Sequence, residues 1–283
     1  VSITAFETEI QAVLGADVNV RDTGIIQRFS TNGKPDDRAG WLVFFDTAGA
    51  FGDWRTGEQF TWSDRRGDMS PGERRALHRK VQVAKQVAHQ ERVRRQQDAR
   101  AQAARIWSGC GTPTDHPYLD RKRIQAHGIR QHGRFLIIPL VDETGGLWSL
   151  QSIAPDGTKR FMPGGRVQGR FHIIEGGKHI GICEGYATGA TLHEQTGNTV
   201  FVAFNAGNVK SVDVTARAMY PAAHLTVWGD NDQFTNGNPG VTKAREAATS
   251  SCADDIQIPD FTGFDLTTRP TDWNDYYRLK DAG

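Results

Sequence analysis

At 283 residues and 37% hydrophobic content, the chain is long enough for one large globular domain or two ordinary ones. Its formal net charge of +1 hides an asymmetry: residues 71–107 hold ten Lys/Arg against three Asp/Glu, which leaves the rest of the chain at −6. The three cysteines, Cys110, Cys183 and Cys252, lie far apart with no C-x-x-C pair, which argues against a structural zinc site or a disulfide scaffold; with no signal peptide and no membrane-length apolar run, a cytoplasmic protein without a membrane partner is expected.

The first 70 residues read as a small α+β domain. Phe6, Ile10 and Leu14 recur at spacing four and predict a helix over Ser2–Leu14. Strands are expected at Gly24–Phe29 and Gly40–Phe45, with a turn at Gly33-Lys34-Pro35-Asp36 between them. A further turn and strand follow over 48–54, and another strand over Gln59–Trp62. The aromatics here, among them Phe29, Trp41, Phe44, Phe45, Phe51, Trp54, Phe60 and Trp62, are read first as the core that so small a domain needs. The alternative is that some stack on single-stranded bases, with Arg28, Arg38 and Arg55 on phosphates.

Residues 71–108 predict one long helix. Ser70-Pro71-Gly72-Glu73 supplies the cap, a proline at the first helical position and a glutamate at the third. Val81, Ala84, Ala88 and Val93 hardly make an apolar stripe, and Arg and Gln dominate the second half. So polar a helix is an exposed connector, a phosphate-contacting arm, or both.

Residues 109–178 read as a mixed α+β subdomain. Gly109–Pro117 is a loop, and Tyr118–His132 a short helix and turn. His116, His127 and His132 are read as surface or packing residues, since none has a partner carboxylate or cysteine at ligand spacing. RFLIIPLVD (Arg134–Asp142) and LWSLQSIA (Leu147–Ala154) form a hairpin, followed by Lys159-Arg160-Phe161 and then Phe171–Ile174. Basic residues cluster near its turns: Arg134, Lys159, Arg160 and Arg166.

From residue 179 onward short apolar runs alternate with helical segments. Ile180 and Ile182 precede Glu184-Gly185; Val200–Phe204 precedes Asn205-Ala206-Gly207; Leu225–Trp228 precedes Gly229-Asp230-Asn231-Asp232. A helix over Val241–Ser250, a strand over Ile256–Pro259 and a helix over Tyr276–Lys280 complete the chain. This alternation predicts an α/β fold with a parallel sheet and crossover helices, whose ligand site lies at the carboxyl ends of the strands. Glu184, Asp230 and Asp232 all fall at such ends. Carboxylates converging on one rim repel unless cations sit among them, and hard oxygen ligands suit Mg²⁺ or Mn²⁺. Read alone, each acid is as well explained as a helix cap. Asn205 sits at the next strand end, where its amide can orient a nucleotide or a metal-bound water.

The motifs EGYATG, FNAGN and GDND resemble the Toprim domain of primases, topoisomerases and related nucleases. From about Tyr118 to the C-terminus the chain is similar to primases of conjugative plasmids and satellite phages, relatives of the bacterial replicative primase. It departs from them in carrying His127 where the family has Arg, and it lacks the zinc module of the replicative primases. The FGDWRTG stretch resembles the N-terminal region of the plasmid and satellite-phage primases.

The resemblance implies a Rossmann-like Toprim catalytic domain over 179–283, with Glu184 as metal ligand or general base and Asp230 and Asp232 as metal ligands. It implies a further acid from Thr271-Asp272-Trp273-Asn274-Asp275: Asp272 aligns best, Asp275 is the alternate, and both read otherwise as surface acids capping the last helix. It assigns Arg134, Lys159 and Arg160 to the template and nucleotide groove. The expected activity is that of a DNA primase, a nucleotidyltransferase making RNA primers on single-stranded DNA from nucleoside triphosphates with Mg²⁺ or Mn²⁺. A replicative helicase or a plasmid or phage replication protein is the implied partner. No G-x-x-x-x-G-K-[ST] occurs, so the chain is not itself an ATP-driven helicase. A Toprim nuclease and a non-catalytic nucleic-acid-binding Toprim module are the competing readings.

Overall fold

The computed structural model describes residues 2–34, 37–54, 58–64 and 70–282. Half of the expected turn at Gly33-Lys34-Pro35-Asp36, Arg55, and the end of the FGDWRTG stretch lie outside the described residues. The chain forms two units, residues 1–94 and 95–283.

In the first unit, α1 (Ser2–Leu14) precedes an antiparallel sheet of β1 (Gln27–Phe29), β2 (Gly40–Phe45), β3 (Ala48–Asp53) and β4 (Gln59–Ser63), paired in that order. The alternation of β2 sorts its side chains onto two faces. Leu42 and Phe44 join Phe6, Ile10, Phe51 and Trp62 in one cluster, while Trp41 and Val43 join Ala50 and Leu77, Val81 and Ala84 of α2 (Pro71–Ser108) in another. The aromatics are therefore core residues, except Trp54, which is 47% exposed. β1 is shorter than the expected strand and starts at Gln27.

The capping box that opens α2 forms in both directions. Glu73 N donates to Ser70 Oγ at 3.3 Å, and Ser70 N donates to Glu73 Oε2 at 2.8 Å. The helix is not uniformly exposed. Ala99 and Ala103, in the part that belongs to the second unit, are buried, and Ala103 packs on Ile137 and Leu150. Small side chains make a weak periodic signal but allow close approach to a sheet.

The second unit holds two sheets that share a core. After α3 (Pro117–Lys122), β5 (Arg130–His132), β6 (Phe135–Val141), β7 (Leu147–Ile153) and β8 (Lys159–Phe161) pair consecutively and antiparallel. Arg130–His132 is thus a strand and not part of a helix and turn. The other sheet contains β9 (His172–Ile174), β10 (Gly177–Cys183), β11 (Asn198–Val202), β12 (Leu225–Trp228) and β13 (Asp255–Gln257), in the order β13-β12-β10-β11-β9. All neighbours are parallel except β9, which runs antiparallel on one edge. The crossovers carry α4 (Tyr186–Thr196), α5 (Ala206–Met219) and α6 (Pro239–Ser251), and α7 (Trp273–Lys280) ends the chain. This is the expected α/β architecture. Leu136, Ile138, Leu140 and Ile153 of the first sheet meet Cys183, Tyr186, Val202, Trp228 and Trp273 of the second in one cluster, which fixes β8 beside the parallel sheet.

The histidines pack as expected but do find partners. His116 caps α3 by accepting from Tyr118 N, and His127 Nε2 lies 2.7 Å from Glu194 Oε1, a carboxylate 67 positions away that local spacing does not reveal. No helix among the described residues is long and apolar enough to cross a membrane.

Candidate active site

Strand register builds the site. Cys183 pairs with Val202 on one side and Trp228 on the other. The next residues therefore leave the sheet side by side: Glu184 from β10, Ala203-Phe204-Asn205 from β11, and Gly229-Asp230 from β12. Neighbouring strands lie about 4.8 Å apart, so acids at these ends are forced into one another's fields. Phe204 N donates to Glu184 O at 2.7 Å with Phe204 at a φ of 71°, a left-handed conformation costly for a bulky residue. Its ring packs on Phe161 of β8, centroids 6.1 Å apart.

Two helix N-termini act on two of the carboxylates. The backbone N–H of Ala206, the first residue of α5, acts on the Glu184 carboxylate and pulls its pKa down. Gly240 N, at the start of α6, donates to Asp232 Oδ2 at 2.9 Å. Amides at a helix N-terminus carry partial positive charge and suit an anion. A Cβ on Gly240 would lie 2.4 Å from Asp230 O, so glycine there lets α6 close onto the loop.

The loop after β12 and the C-terminal segment are laced together. Asn231 N donates to Thr271 O at 2.7 Å, and Trp273 Nε1 donates to Gly229 O at 3.2 Å. Asp272 is thereby brought to the same rim. Its Oδ1 accepts from Asp275 N at 2.8 Å, so it caps α7, and its Oδ2 lies 3.7 Å from Lys122 Nζ. Asp275 is turned to Lys122 at 3.4 Å.

The crowding shows in the titration of the acids. Burial pushes Asp230 well above the ordinary carboxylate range, and Asp272, Glu184 and Asp232 push it further, against the pull of Lys159. Asp230 Oδ1 is sealed from solvent and has no hydrogen-bond partner. Glu184 is raised too, by burial and then by Asp232, with the Ala206 N–H and Lys159 opposing. Lys159 is an exposed residue overall, yet crowding around its ammonium lowers its pKa while Asp272, Asp230 and Glu184 raise it. A Cβ on Gly185 would stand 3.9 Å from that ammonium.

The structure thus gathers Glu184, Asp230, Asp232, Asp272 and Lys159. Among the described residues no three His, Cys, Asp or Glu side chains already stand as a ligand group. Asn205 caps α5 at the same rim without a side-chain bond to the helix. Arg160 is next to Lys159 on β8, so it faces the other side of that strand, and it is exposed. Arg134 is exposed, lies over the Phe135 ring, and acts on Asp156 in the β7–β8 turn; it is not among the charges that act on Glu184 or Asp230.

Sequence reasoning missed Lys122, Lys243 and Tyr118. Lys243 lines a small cleft with Glu184, Asp230 and Gly240. Tyr118 buries its hydroxyl without a partner and feels Asp272. The signal for Lys243 was its place one turn into the helix after the Asp-x-Asp loop; Lys122 and Tyr118 had none beyond proximity to the resemblance's start.

Comparison with known proteins agrees with this geometry. Residues 179–282 match the Toprim domain. The chain is similar to DNA primase TraC of Escherichia coli, 34% identical over 240 residues that make up 78% of this chain and 22% of the relative. A second DNA primase TraC of Escherichia coli is 32% identical over 211 residues, 69% of this chain and 14% of that protein. The chain therefore spans about a fifth of the length of these curated relatives, or less. Among solved structures, it is similar to the primase fragment of the bacteriophage T7 primase-helicase protein, with a TM-score of 0.42 and 15% identity, covering 60% of this chain and 75% of that one. It is also similar to the DnaG catalytic core, with a TM-score of 0.34 and 12% identity over 67% of this chain and 72% of that one.

Proposed function

With a Toprim domain in residues 179–282 as the premise, we propose that this chain is the catalytic part of a DNA primase that joins nucleoside triphosphates into short RNA primers on single-stranded DNA. The observation that carries the reading is the gathering of Glu184, Asp230, Asp232 and Asp272 at the carboxyl edge of the parallel sheet, with Asp230 Oδ1 buried and unpartnered. An orphaned buried carboxylate oxygen among other carboxylates is costly unless a cation joins it. The donor set is all oxygen and fits a hard divalent ion such as Mg²⁺ or Mn²⁺. Glu184, Asp230, Asp232 and Asp272 would hold it, and such an ion would supply positive charge to the attacking hydroxyl and the leaving pyrophosphate.

The chain's own groups do the rest. Lys159 brings a cation to the same rim, where it neutralises phosphate oxygens as charge spreads over them. Glu184, whose carboxylate burial makes more basic, is suited in its ionised form to accept the proton of the attacking 3′-hydroxyl. The N–H of Gly240 holds Asp232, and that of Ala206 stabilises the ionised form of Glu184. Asn205 orients the nucleotide, while Arg160 and Arg134, on other faces, track the template backbone.

In this reading residues 109–178 are a primase-core subdomain and residues 1–70 an accessory domain joined by the helix over 71–108. The protein acts in the cytoplasm, where plasmid or phage DNA replicates, beside a replicative helicase. One gel tests the activity: single-stranded DNA, labelled nucleotides and Mg²⁺ or Mn²⁺, wild type beside Glu184→Gln and Asp230→Asn. Template-dependent oligonucleotides should appear with wild type and vanish in both variants. Shortened template with no new product would assign a nuclease instead.

A further inference from the structure

Three guanidinium groups crowd one indole near the start of β7. Cζ of Arg100 lies 4.5 Å from the ring centroid of Trp148, that of Arg170 4.8 Å and that of Arg166 5.4 Å. Arg100 comes from α2, and the other two come from the segment between β8 and β9. Trp148 is held in place because its Nε1 donates to Asp142 Oδ2.

These arginines have few partners. Arg100 Nε donates to Leu147 O at 3.0 Å, and Arg170 Nη1 donates to Gly169 O at 2.8 Å. Arg170 is only 8% exposed, and its Nε has no partner. Among the described residues none of the three makes an ion pair within 4.0 Å. The nearby acids are Asp142 and Glu143, which act on Arg170 from longer range. Asp142 is already occupied by Thr144 N, Thr144 Oγ1, Gly146 N and the indole. An indole face attracts a cation but does not cancel the mutual repulsion of three. Guanidinium forks left open in this way match the oxygens of a phosphate.

We propose that Arg100, Arg166 and Arg170, collected on Trp148, form a binding site for the phosphate backbone of a nucleic-acid strand. Position selects the strand over a free nucleotide. β7 carries Trp148 near one end and Ile153 at the other, where Ile153 pairs with Lys159 of the carboxylate rim. Five residues of strand span about 17 Å. That is too far for the phosphates of a nucleotide reacting at the rim, but about five base steps of duplex at ~3.4 Å each. The site binds without catalysis, so it stands or falls independently of primer synthesis.

The test is binding of labelled oligo(dT) to the full chain in EDTA, by fluorescence anisotropy over a salt series. Arg166→Gln is the first variant, since among the described residues Arg166 makes no hydrogen bond that the fold needs. It should weaken binding several-fold at low salt and flatten the slope of log K against log salt by about 0.7, the value for one phosphate contact on a single strand. Arg100→Gln/Arg166→Gln should flatten it by about 1.4, and Arg166→Lys should restore most of the slope. ATP binding by calorimetry should be the same in all. An unchanged affinity and slope in the double variant, with an unchanged melting curve, overturns the proposal. So does a loss confined to ATP binding, which would make the cluster a nucleotide site.

Discussion

Asp213 lies on the buried face of α5, fully inaccessible, with both carboxylate oxygens unpartnered. Burial raises its pKa from 3.8 to about 6, and the nearby Ser251 hydroxyl and Arg217 only partly oppose this. The Ser251 hydroxyl is directed to Ala248 O, at 3.5 Å, and leaves the carboxylate without a formed bond. A folded-state pKa above the unfolded value means that the native state binds the extra proton between pH 4 and 6. Stability therefore falls as pH rises through that window and stays lowered above it. About two pKa units correspond to about 3 kcal/mol. Asp213→Asn removes this penalty at a cost of about 1 kcal/mol for burying an amide with few partners. The expected result is a gain of about 2 kcal/mol at pH 8 that shrinks to nothing or reverses near pH 4. Urea unfolding followed by tryptophan fluorescence, with hydrogen exchange of α5 amides to assign the transition, measures it. A difference between the two proteins that is the same at pH 4 and pH 8 would refute the reasoning, because the carboxyl would then have no special titration to lose.

His172 gives the opposite slope. It is buried, its Nε2 donates to His127 O at 2.8 Å, and it is pushed down to about 4, so it is neutral when folded. The unfolded chain binds more protons between pH 4 and 6.5, so this contribution, about 3 kcal/mol, is lost as pH falls through that range; His172→Gln should flatten the acid limb of the unfolding profile. For the acidic rim, Mg²⁺ at ten times its Kd should stabilise the wild-type protein by about 1.4 kcal/mol in a thermal shift. Asp230→Asn, freed of a buried repulsion, should melt higher than wild type without Mg²⁺ and shift less with it; equal shifts would remove Asp230 from the ligand set.

How much of this was legible depended on how local the cause was. The apolar runs at Ile180–Ile182, Val200–Phe204 and Leu225–Trp228 announced β10, β11 and β12, because a strand buried on both faces must be apolar throughout. The capping box at Ser70 and Glu73 was legible for the same reason: its four residues carry the whole interaction. β5 was not, since Arg130-Gln131-His132 has no alternation and is a strand only through its pairing with Leu136 and its neighbours. The acids Glu184, Asp230 and Asp232 were visible as strand-end residues, but Asp272 came from resemblance alone. What brings it to the rim is Asn231 N on Thr271 O, a backbone contact with no residue signature. The amides of Ala206 and Gly240 were invisible on the same ground. The Trp148 cluster was hidden differently: Arg100 lies 48 positions before the tryptophan and Arg166 and Arg170 lie 18 and 22 after it, and packing of α2 on β6 and β7 is what brings Arg100 in.

The two charge clusters follow one logic. At the rim, four carboxylates face Lys159, Lys122 and two helix N-termini worth about half a charge each. These positive groups are unevenly placed: Lys122 serves Asp272 and Asp275, one N-terminus serves Glu184, and the other serves Asp232. The deficit therefore falls on Asp230, which of these four acids is the one with a buried oxygen that has no partner. At Trp148 the surplus falls on Arg170, the buried guanidinium with an open Nε. A fold selected for stability alone would replace either group with a neutral one of similar size, since a buried charge without a partner costs more than its packing returns. Both are retained within one unit, joined by β7 and β8, with opposite signs at the two ends. Such a pattern suits a polyanion that meets cations of the protein along its length and, at its reacting end, an ion held between the protein's acids and its own phosphates.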